Sequence, residues 1–216
     1  MKIASIPTKG RTLDHAAAVY DLIEPFLLLG KQAEYDQKII GLLSLKPSDK
    51  VLDLGCGTGL LCHTIADRLN SAAGGVAIGI DAAGKMIEVA RRKRQTETCR
   101  FEAMAAESLS FDDRFFDSVV SSLFFHHVPM DLKARALSEA YRVLKPGGKL
   151  IIADMHIPTT FMGWLTSHVS RWFFMQPQIS ENIRGVLPGL IEAAGFKPPR
   201  IVTQYFGYIC VFLTIK

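Results

Sequence analysis

The chain has 216 residues, a formal net charge of +4 and 49% hydrophobic residues. This length suits a single domain with a sizeable core. The four cysteines form no CxxC pair and have no zinc-site spacing with histidine, so free thiols in a cytoplasmic protein are expected. The N-terminus lacks the apolar core of a signal peptide, and no apolar run approaches the roughly 18 residues of a membrane span.

The N-terminal region is predicted to be helical over residues 12–44, because apolar side chains recur at helical spacing. Pro25 is expected to break or kink this region, with a second helix over about 31–43. The basic run at 91–94 falls at the end of a later predicted helix, where it suits the helix dipole better than a nucleic-acid surface. No nucleic-acid partner is therefore expected.

Strands and helices then alternate along the chain. Near-continuous apolar strands separated by helices predict a parallel sheet covered on both faces, and right-handed crossovers make it doubly wound. The predicted strands are 51–54, 75–81, 99–104, 115–123 and 149–154, and the predicted helices are 60–70, 84–95 and 131–144.

The pattern changes after Asp154. Residues 155–180 are rich in aromatic side chains and methionine, and a helix is predicted over 181–194, ended by Gly195. Two strands, 200–206 and 208–215, are joined at Gly207 and form a tight hairpin. The predicted fold is a Rossmann-like, mostly parallel seven-stranded α/β sheet with a C-terminal antiparallel hairpin.

The stretch VLDLGCGTG at residues 51–59 places Gly55, Gly57 and Gly59 directly after a strand. Glycines in such a turn let a ligand approach the main chain closely. The dinucleotide pattern G-x-G-x-x-G would need glycine where the chain has Leu60, which disfavours a nicotinamide enzyme. Asp81 ends the next strand, where a carboxylate can bind both hydroxyls of a ribose or cap the following helix.

Four stretches together resemble the class I S-adenosylmethionine-dependent methyltransferases, particularly the small-molecule enzymes of ubiquinone and menaquinone biosynthesis. They are VLDLGCGTG, GIDAAGKMIEVA, ESLSFDDRFFDSVVSSLFFHHV and LKPGGKLIIAD. The resemblance covers roughly residues 15–154 and implies S-adenosyl-L-methionine as methyl donor, with S-adenosyl-L-homocysteine as product. The implied divisions are an N-terminal helical lid (1–45), a cofactor-binding core (46–154), a substrate-covering insertion (155–180) and a final helix with the hairpin (181–216).

The same resemblance implies roles for individual residues. The three glycines would approach the methionine and ribose parts of the cofactor, Asp53 would bind its amino end or pin the loop, and Asp81 would hold the ribose. Where the family often has an acid that accepts from the adenine amino group, this chain has Ala105, so Glu107, a water or packing must replace it. The implied cofactor-binding set is Tyr20, Asp53, Gly55, Cys56, Gly57, Gly59, Asp81, Ala82, Met86, Ala106, Glu107, Ser121 and Ser122. Within it, Met86 is equally explained as core, and Tyr20 as either a lid residue or a half-buried core residue.

A proton acceptor is expected in the segment FFHHVP, which follows the fourth predicted strand. Histidine accepts protons near neutral pH, so His126 and His127 are the catalytic candidates, although one of them can instead bind backbone. His156 and His168 are weaker candidates. No compact cluster of carboxylate, histidine or cysteine ligands is left for a metal, and none is predicted.

The insertion at 155–180 carries an apolar stripe at helical spacing. Such a stripe is explained by core packing, a homodimer contact, an apolar substrate pocket or a face at the membrane surface. Arg171 among the aromatic residues could anchor a phosphate or carboxylate head group. We expect a lipophilic acceptor, such as a quinone precursor or lipid amine, and peripheral contact with a membrane. A soluble aromatic or amine metabolite is the alternative acceptor, and a non-catalytic S-adenosylmethionine-binding protein is a further one.

Overall fold

The computed structural model describes residues 3–10, 12, 14, 30–173 and 177–216, without the side chain of Phe173. The predicted kink at Pro25 and the predicted cofactor contact of Tyr20 lie outside these residues. Residues 3–8 are extended rather than helical, so this described part of the proposed N-terminal lid is a strap.

Seven strands form one sheet in the order β3-β2-β1-β4-β5-β7-β6. All neighbouring pairs are parallel except those of β7, which runs antiparallel to both β5 and β6. The predicted fold class, including the C-terminal hairpin, is therefore confirmed. The strands are β1 (Lys50–Leu54), β2 (Val76–Asp81), β3 (Cys99–Ala103), β4 (Phe116–Ser122), β5 (Leu144–Met155), β6 (Arg200–Tyr205) and β7 (Ile209–Ile215).

Within the described residues, seven α-helices accompany this sheet. They are α1 (Gln32–Leu43), α2 (Leu60–Ala66), α3 (Gly84–Arg94), α4 (Met130–Val143), α5 (Phe161–Phe173), α6 (Pro177–Ile183) and α7 (Val186–Ala193). None of the described helices is long and apolar enough to cross a bilayer.

Two helix predictions were wrong in extent. The helix predicted over 60–70 stops at Ala66, and the following residues turn into a short 3₁₀ helix at Ser71–Ala73. The single helix predicted over 181–194 is two helices, α6 and α7, because Gly185 between them has a positive φ of 82°. A left-handed residue interrupts the α-helical hydrogen-bond ladder, and glycine adopts it without steric strain.

Apolar side chains cover both faces of the sheet. One buried cluster packs α4 and α7 against the sheet, with Leu137, Leu187 and Phe212 among its members. The other packs α1, α2 and α3 on the opposite face, around Tyr35 and Phe101. Because helices bury both faces, the carboxyl edge of the parallel strands is left as the place where loops can form a site.

Candidate active site

A cleft of about 690 Å³, part of it open to solvent, lies beyond the carboxyl ends of β1, β2 and β4. We call it the adenosine cleft. It collects side chains and backbone from segments far apart in the sequence, as expected at the edge of a doubly wound sheet. Its lining comprises Thr8, Gly10, Gly55, Gly57, Ile80, Asp81, Ala82, Met86, Met104, Ala106, Glu107, Ser122, Leu123, Phe124, His127 and Val128.

A smaller cleft of about 430 Å³ lies on the α1 side of the glycine loop, and we call it the α1 cleft. The two clefts share Gly55, Gly57, Ser122 and Leu123, so they meet along the loop. The α1 cleft is lined by Gln32, Asp36, Asp53, Gly55, Cys56, Gly57, Thr58, Leu60, Leu61, Ser122 and Leu123.

The glycine loop turns through three left-handed residues, with φ of 72° at Gly55, 54° at Gly57 and 86° at Gly59. Gly57 lines both clefts, so its backbone faces open space on either side of the loop. Gly59 lies outside the lining of both clefts. A Cβ there would come within 2.4 Å of the Phe101 ring, so close packing between loop and core explains this glycine. The prediction that Gly59 faces the cofactor is therefore not supported by its placement.

Asp81 lies at the end of β2 with its carboxylate in the adenosine cleft. One oxygen accepts from the Ala83 N–H at 2.8 Å and the other from the Gly57 N–H at 3.1 Å. Burial raises the pKa of this carboxyl, and the two N–H donors act against that effect. The carboxylate thus caps α3 and ties down the loop, and each oxygen retains a lone pair for a ligand hydroxyl.

The end of the cleft that is predicted to hold adenine has an apolar floor of Ala82, Met86 and Ala106. Ala105 is buried and absent from the lining, whereas Glu107 lines it. The Thr8 hydroxyl donates to Glu107 Oε1 at 2.6 Å.

The N-terminal strap, residues 3–10, crosses this end of the cleft. The Ile6 N–H donates to the Ala82 carbonyl at 2.8 Å, and the Gly84 N–H donates to the Ser5 hydroxyl at 2.9 Å. Thr8 and the strap were missed by sequence reasoning, because the local sequence holds no signal for a contact with Glu107, 99 residues away.

Ser121 and Ser122 point to opposite sides of β4, as successive residues of a strand must. Ser122 lines both clefts, and its hydroxyl lies 2.9 Å from the Tyr35 hydroxyl of α1. Ser121 is buried and donates to the Leu54 carbonyl at 3.0 Å. Its hydroxyl therefore stabilises the junction of β1 and β4, and the prediction of a cofactor contact for Ser121 does not match this placement.

Asp53 and Cys56 lie in the α1 cleft, and Asp53 is buried. Burial raises the pKa of the Cys56 thiol well above its ordinary value, so this side chain is a neutral thiol at physiological pH. All four cysteines are free.

The two candidate histidines have different surroundings. His127 lines the adenosine cleft, whereas the Nδ1 atom of His126 lies 2.8 Å from a carboxylate oxygen of Asp154. The two imidazole rings are in contact, with centroids 4.0 Å apart. The structure therefore brings a histidine into the cleft and places a carboxylate–histidine pair behind it. His168 bonds the Trp164 carbonyl, and His156 is buried beside Phe212.

The residues present fit an adenosyl ligand. Gly57 leaves room along the loop, Asp81 offers carboxylate oxygens, and Met86 with Ala106 offers an apolar surface for a planar base. Across the described ranges, no group of three or more histidine, cysteine, aspartate or glutamate side chains could hold a metal. The arrangement suits transfer of an activated group from a nucleoside carrier by alignment of the reactants.

Fold and site together define a methyltransferase that uses S-adenosylmethionine. The methyltransferase domain family matches residues 52–152. Among curated relatives, the 2-phytyl-1,4-naphtoquinone methyltransferase of Nostoc is 32% identical over 70% of this chain and 68% of its own length. The demethylmenaquinone methyltransferase of Symbiobacterium thermophilum is 32% identical over 67% of this chain and 58% of its own.

Solved structures agree at the level of the fold. A SAM-dependent methyltransferase from Aquifex aeolicus has a TM-score of 0.60 at 18% identity, over 83% of this chain and 88% of its own. A phosphoethanolamine N-methyltransferase from Haemonchus contortus, solved with S-adenosylhomocysteine, has a TM-score of 0.67 at 21% identity, over 89% of this chain and 44% of its own. The chain belongs to the S-adenosylmethionine-dependent methyltransferase family that includes the curated quinone methyltransferases.

Proposed function

We propose that this chain methylates a small lipophilic acceptor of quinone type, working from the cytoplasmic surface of a membrane as a peripheral protein. The observation that carries the proposal is the outward orientation of the large apolar side chains of α5. The names of the curated relatives, which specify phytylnaphthoquinone and demethylmenaquinone, support the same acceptor class.

Helix α5 packs on the body of the protein through small residues. A Cβ at Gly163 would lie 2.8 Å from the Gly207 carbonyl oxygen, and Ser167 beside it is fully buried. The large side chains face outwards, with Trp172 82% exposed and Phe161 74% exposed. We call this surface the α5 apolar face; its exposed members are Phe161, Met162, Trp164, Leu165, Val169 and Trp172.

The α5 apolar face matches a bilayer interface in its chemistry. Tryptophan prefers the interfacial region, where its apolar ring and polar N–H are both accommodated, and a contiguous apolar patch on a soluble surface marks an interaction site. The exposed Arg171 lies on the same helix and supplies a positive charge for anionic head groups.

Helix α6, which follows α5 and extends beyond the insertion, contacts the turn that carries the two candidate histidines. Asn182 of α6 donates to the buried Asp154 carboxylate at 3.1 Å, and Asp154 in turn holds His126. The buried Lys133 of α4 pairs with Glu181 of α6. A membrane-facing helix is thus followed directly by a helix that borders the histidine pair, which favours delivery of a lipophilic acceptor from the membrane to this edge of the sheet.

The donor supplies an electrophilic methyl group on a positively charged sulfur. The acceptor atom forms the new bond to the methyl carbon, the carbon–sulfur bond breaks with its electron pair remaining on sulfur, and a quinol-type acceptor releases a proton. In this proposal His127, which lines the cleft, takes that proton, and His126 and Asp154 support its ring.

The test is a transfer assay with S-adenosylmethionine labelled in its methyl group. Purified protein is mixed with membrane lipid extract or with the soluble metabolite fraction, and products are partitioned between organic and aqueous phases. We expect label in the organic phase from the membrane extract, appearing about 100-fold or more slowly with the His127→Gln variant. A labelled product found only in the aqueous phase, and separated there from unreacted donor by chromatography, would contradict the lipophilic acceptor and favour a soluble aromatic or amine metabolite.

A further inference from the structure

The α1 cleft contains a carboxylate that sequence reasoning did not single out. Asp36 lies one turn into α1 and is only 5% exposed, although it lines a cleft. The Gln32 side chain donates from Nε2 to Asp36 Oδ1 at 2.9 Å. Burial raises the pKa of Asp36 to about 6, so the group is mostly ionised at pH 7 and above.

This part of the cleft is rich in acceptors. The Gln32 Oε1 atom is buried and has no hydrogen-bond partner among the described residues. Asp53 lines the same cleft and is also buried. A buried amide oxygen is costly to leave without a donor, and Asp36 beside it retains acceptor capacity beyond its one bond from Gln32.

A cation with several N–H groups satisfies such a site better than water does. An ammonium group carries three donors and a compensating charge. S-adenosylmethionine carries an α-ammonium group at its methionine end, and the α1 cleft adjoins the adenosine cleft through Gly55 and Gly57.

We propose that Asp36 and Gln32 bind the α-ammonium group of the methyl donor, with Asp53 in the same cleft. The proposal rests on the adenosine cleft being the donor site. Helix α1 then recognises the amino-acid end of the donor, while the strap and Glu107 border the adenine end. The site would reject nucleosides that lack an amino-acid tail.

The experiment compares two ligands by isothermal titration calorimetry at pH 8. S-adenosylhomocysteine contains the amino-acid tail, and 5′-methylthioadenosine has the same adenosine and thioether without it. For Asp36→Asn we expect affinity for S-adenosylhomocysteine to fall by about tenfold or more, the range for loss of a charged hydrogen bond. Affinity for 5′-methylthioadenosine should change less than about twofold. Glu34→Gln, an exposed carboxylate of the same helix, should bind both ligands as the wild type does.

The possible outcomes distinguish a failure of the role proposed for Asp36 from a failure of the adenosine cleft as the donor site. Equal losses for the two ligands, or no loss for either, would overturn the role of Asp36. Failure of the wild-type protein to bind either ligand would refute the donor site itself. Gln32→Met keeps the carboxylate and removes both the amide oxygen and the Nε2 donor to Asp36, so it tests the same selectivity independently of Asp36→Asn.

Discussion

The Nδ1 atom of His126 lies 2.8 Å from Oδ1 of Asp154, a carboxylate that is fully buried at the end of β5. The same carboxylate accepts from the Phe125 N–H, the Met155 N–H and the Asn182 side chain. Burial alone would raise the pKa of Asp154, but the His126 ring and the Met155 amide outweigh it, and the pKa lies below its ordinary value. An acceptor-only carboxylate fixes Nδ1 of His126 as a donor.

Asp154→Asn should therefore weaken both stability and catalysis. We expect the free energy of unfolding at pH 7 to fall by about 3 kcal/mol, because the donors that surround the buried carboxylate lose an acceptor. Methyl transfer should fall by at least about tenfold in kcat, because the ring orientation is lost. Urea denaturation and the labelled-methyl assay measure the two effects, with the exposed Asp112→Asn as control.

The difference in unfolding free energy between the wild type and Asp154→Asn should change with pH in one direction only. Because the pKa of Asp154 is lowered on folding, its stabilising contribution is present above the unfolded pKa of about 4 and is lost as pH falls through the folded value. The stability gap between wild type and Asp154→Asn should therefore shrink on acidification below about pH 4. A gap that widened there would contradict the assignment of an ionised Asp154.

His127→Gln tests the proton acceptor. Since His127 is the histidine that lines the adenosine cleft, the variant should reduce kcat by about 100-fold or more while binding S-adenosylhomocysteine normally. His63→Gln removes a half-buried histidine whose Nδ1 lies near the Arg94 carbonyl, away from both cleft linings, and serves as the control. Full activity of His127→Gln would leave His126 as the candidate.

Thr8→Val tests the contact between the strap and the adenine end. The substitution keeps the side-chain shape and removes the hydroxyl that donates to Glu107. We expect affinity for S-adenosylhomocysteine to fall about fivefold, which corresponds to one hydrogen bond of about 1 kcal/mol. Calorimetry measures the change, and Thr98→Val, on the exposed loop before β3, should bind like the wild type. An unchanged affinity would show that the strap does not contribute to donor binding.

Asp36→Asn should stabilise the ligand-free protein at alkaline pH while weakening donor binding. The pKa of Asp36 is raised to about 6, so its favourable contribution is present below the unfolded pKa and is lost as pH rises through about 6. The variant should gain about 1–3 kcal/mol in unfolding free energy at pH 8, and the gain should vanish near pH 4. Urea denaturation at the two pH values checks both the size and the sign. A variant less stable than the wild type at pH 8 would contradict the prediction.

The double substitution Trp164→Ser and Trp172→Ser tests the α5 apolar face. We expect partitioning onto vesicles of phosphatidylglycerol and phosphatidylcholine to fall about tenfold or more, with little change in melting temperature, since Trp172 is 82% and Trp164 48% exposed. Ile201→Ser, an exposed apolar residue on the edge strand β6, should partition like the wild type. Vesicle co-sedimentation provides the measurement, and undiminished binding by the double variant would exclude this face as the contact.

The sheet and the loop at its carboxyl edge could be predicted because their signals are local. Near-continuous apolar runs indicate the strands, and the glycines before Leu60 indicate the turn after β1. The placement of the Asp81 carboxylate at the cleft could be predicted because this residue ends β2. The packing partner of Gly59 could not be predicted, because Phe101 reaches it from a strand more than 40 residues away.

Other parts of the site depend on tertiary packing. Ser121 and Ser122 have the same chemistry, and only the pleat of β4 decides which of them faces the clefts. Thr8 and Asp36 lie in segments whose sequences resemble an ordinary loop and an ordinary amphipathic helix. Their relation to Glu107 and to the glycine loop arises when distant segments converge at one edge of the sheet.

The small inner surface of α5 has a consequence for local stability. Gly163 and Ser167 bury little apolar area against the hairpin turn at Gly207, and the hydrophobic contribution scales with that area. Separation of α5 from the body therefore requires much less free energy than disruption of the central strands. Helix α5 should exchange its amide hydrogens through local opening, while β1 and β4 exchange only through global unfolding. The helix that exposes the two tryptophans should therefore open more readily than the central strands.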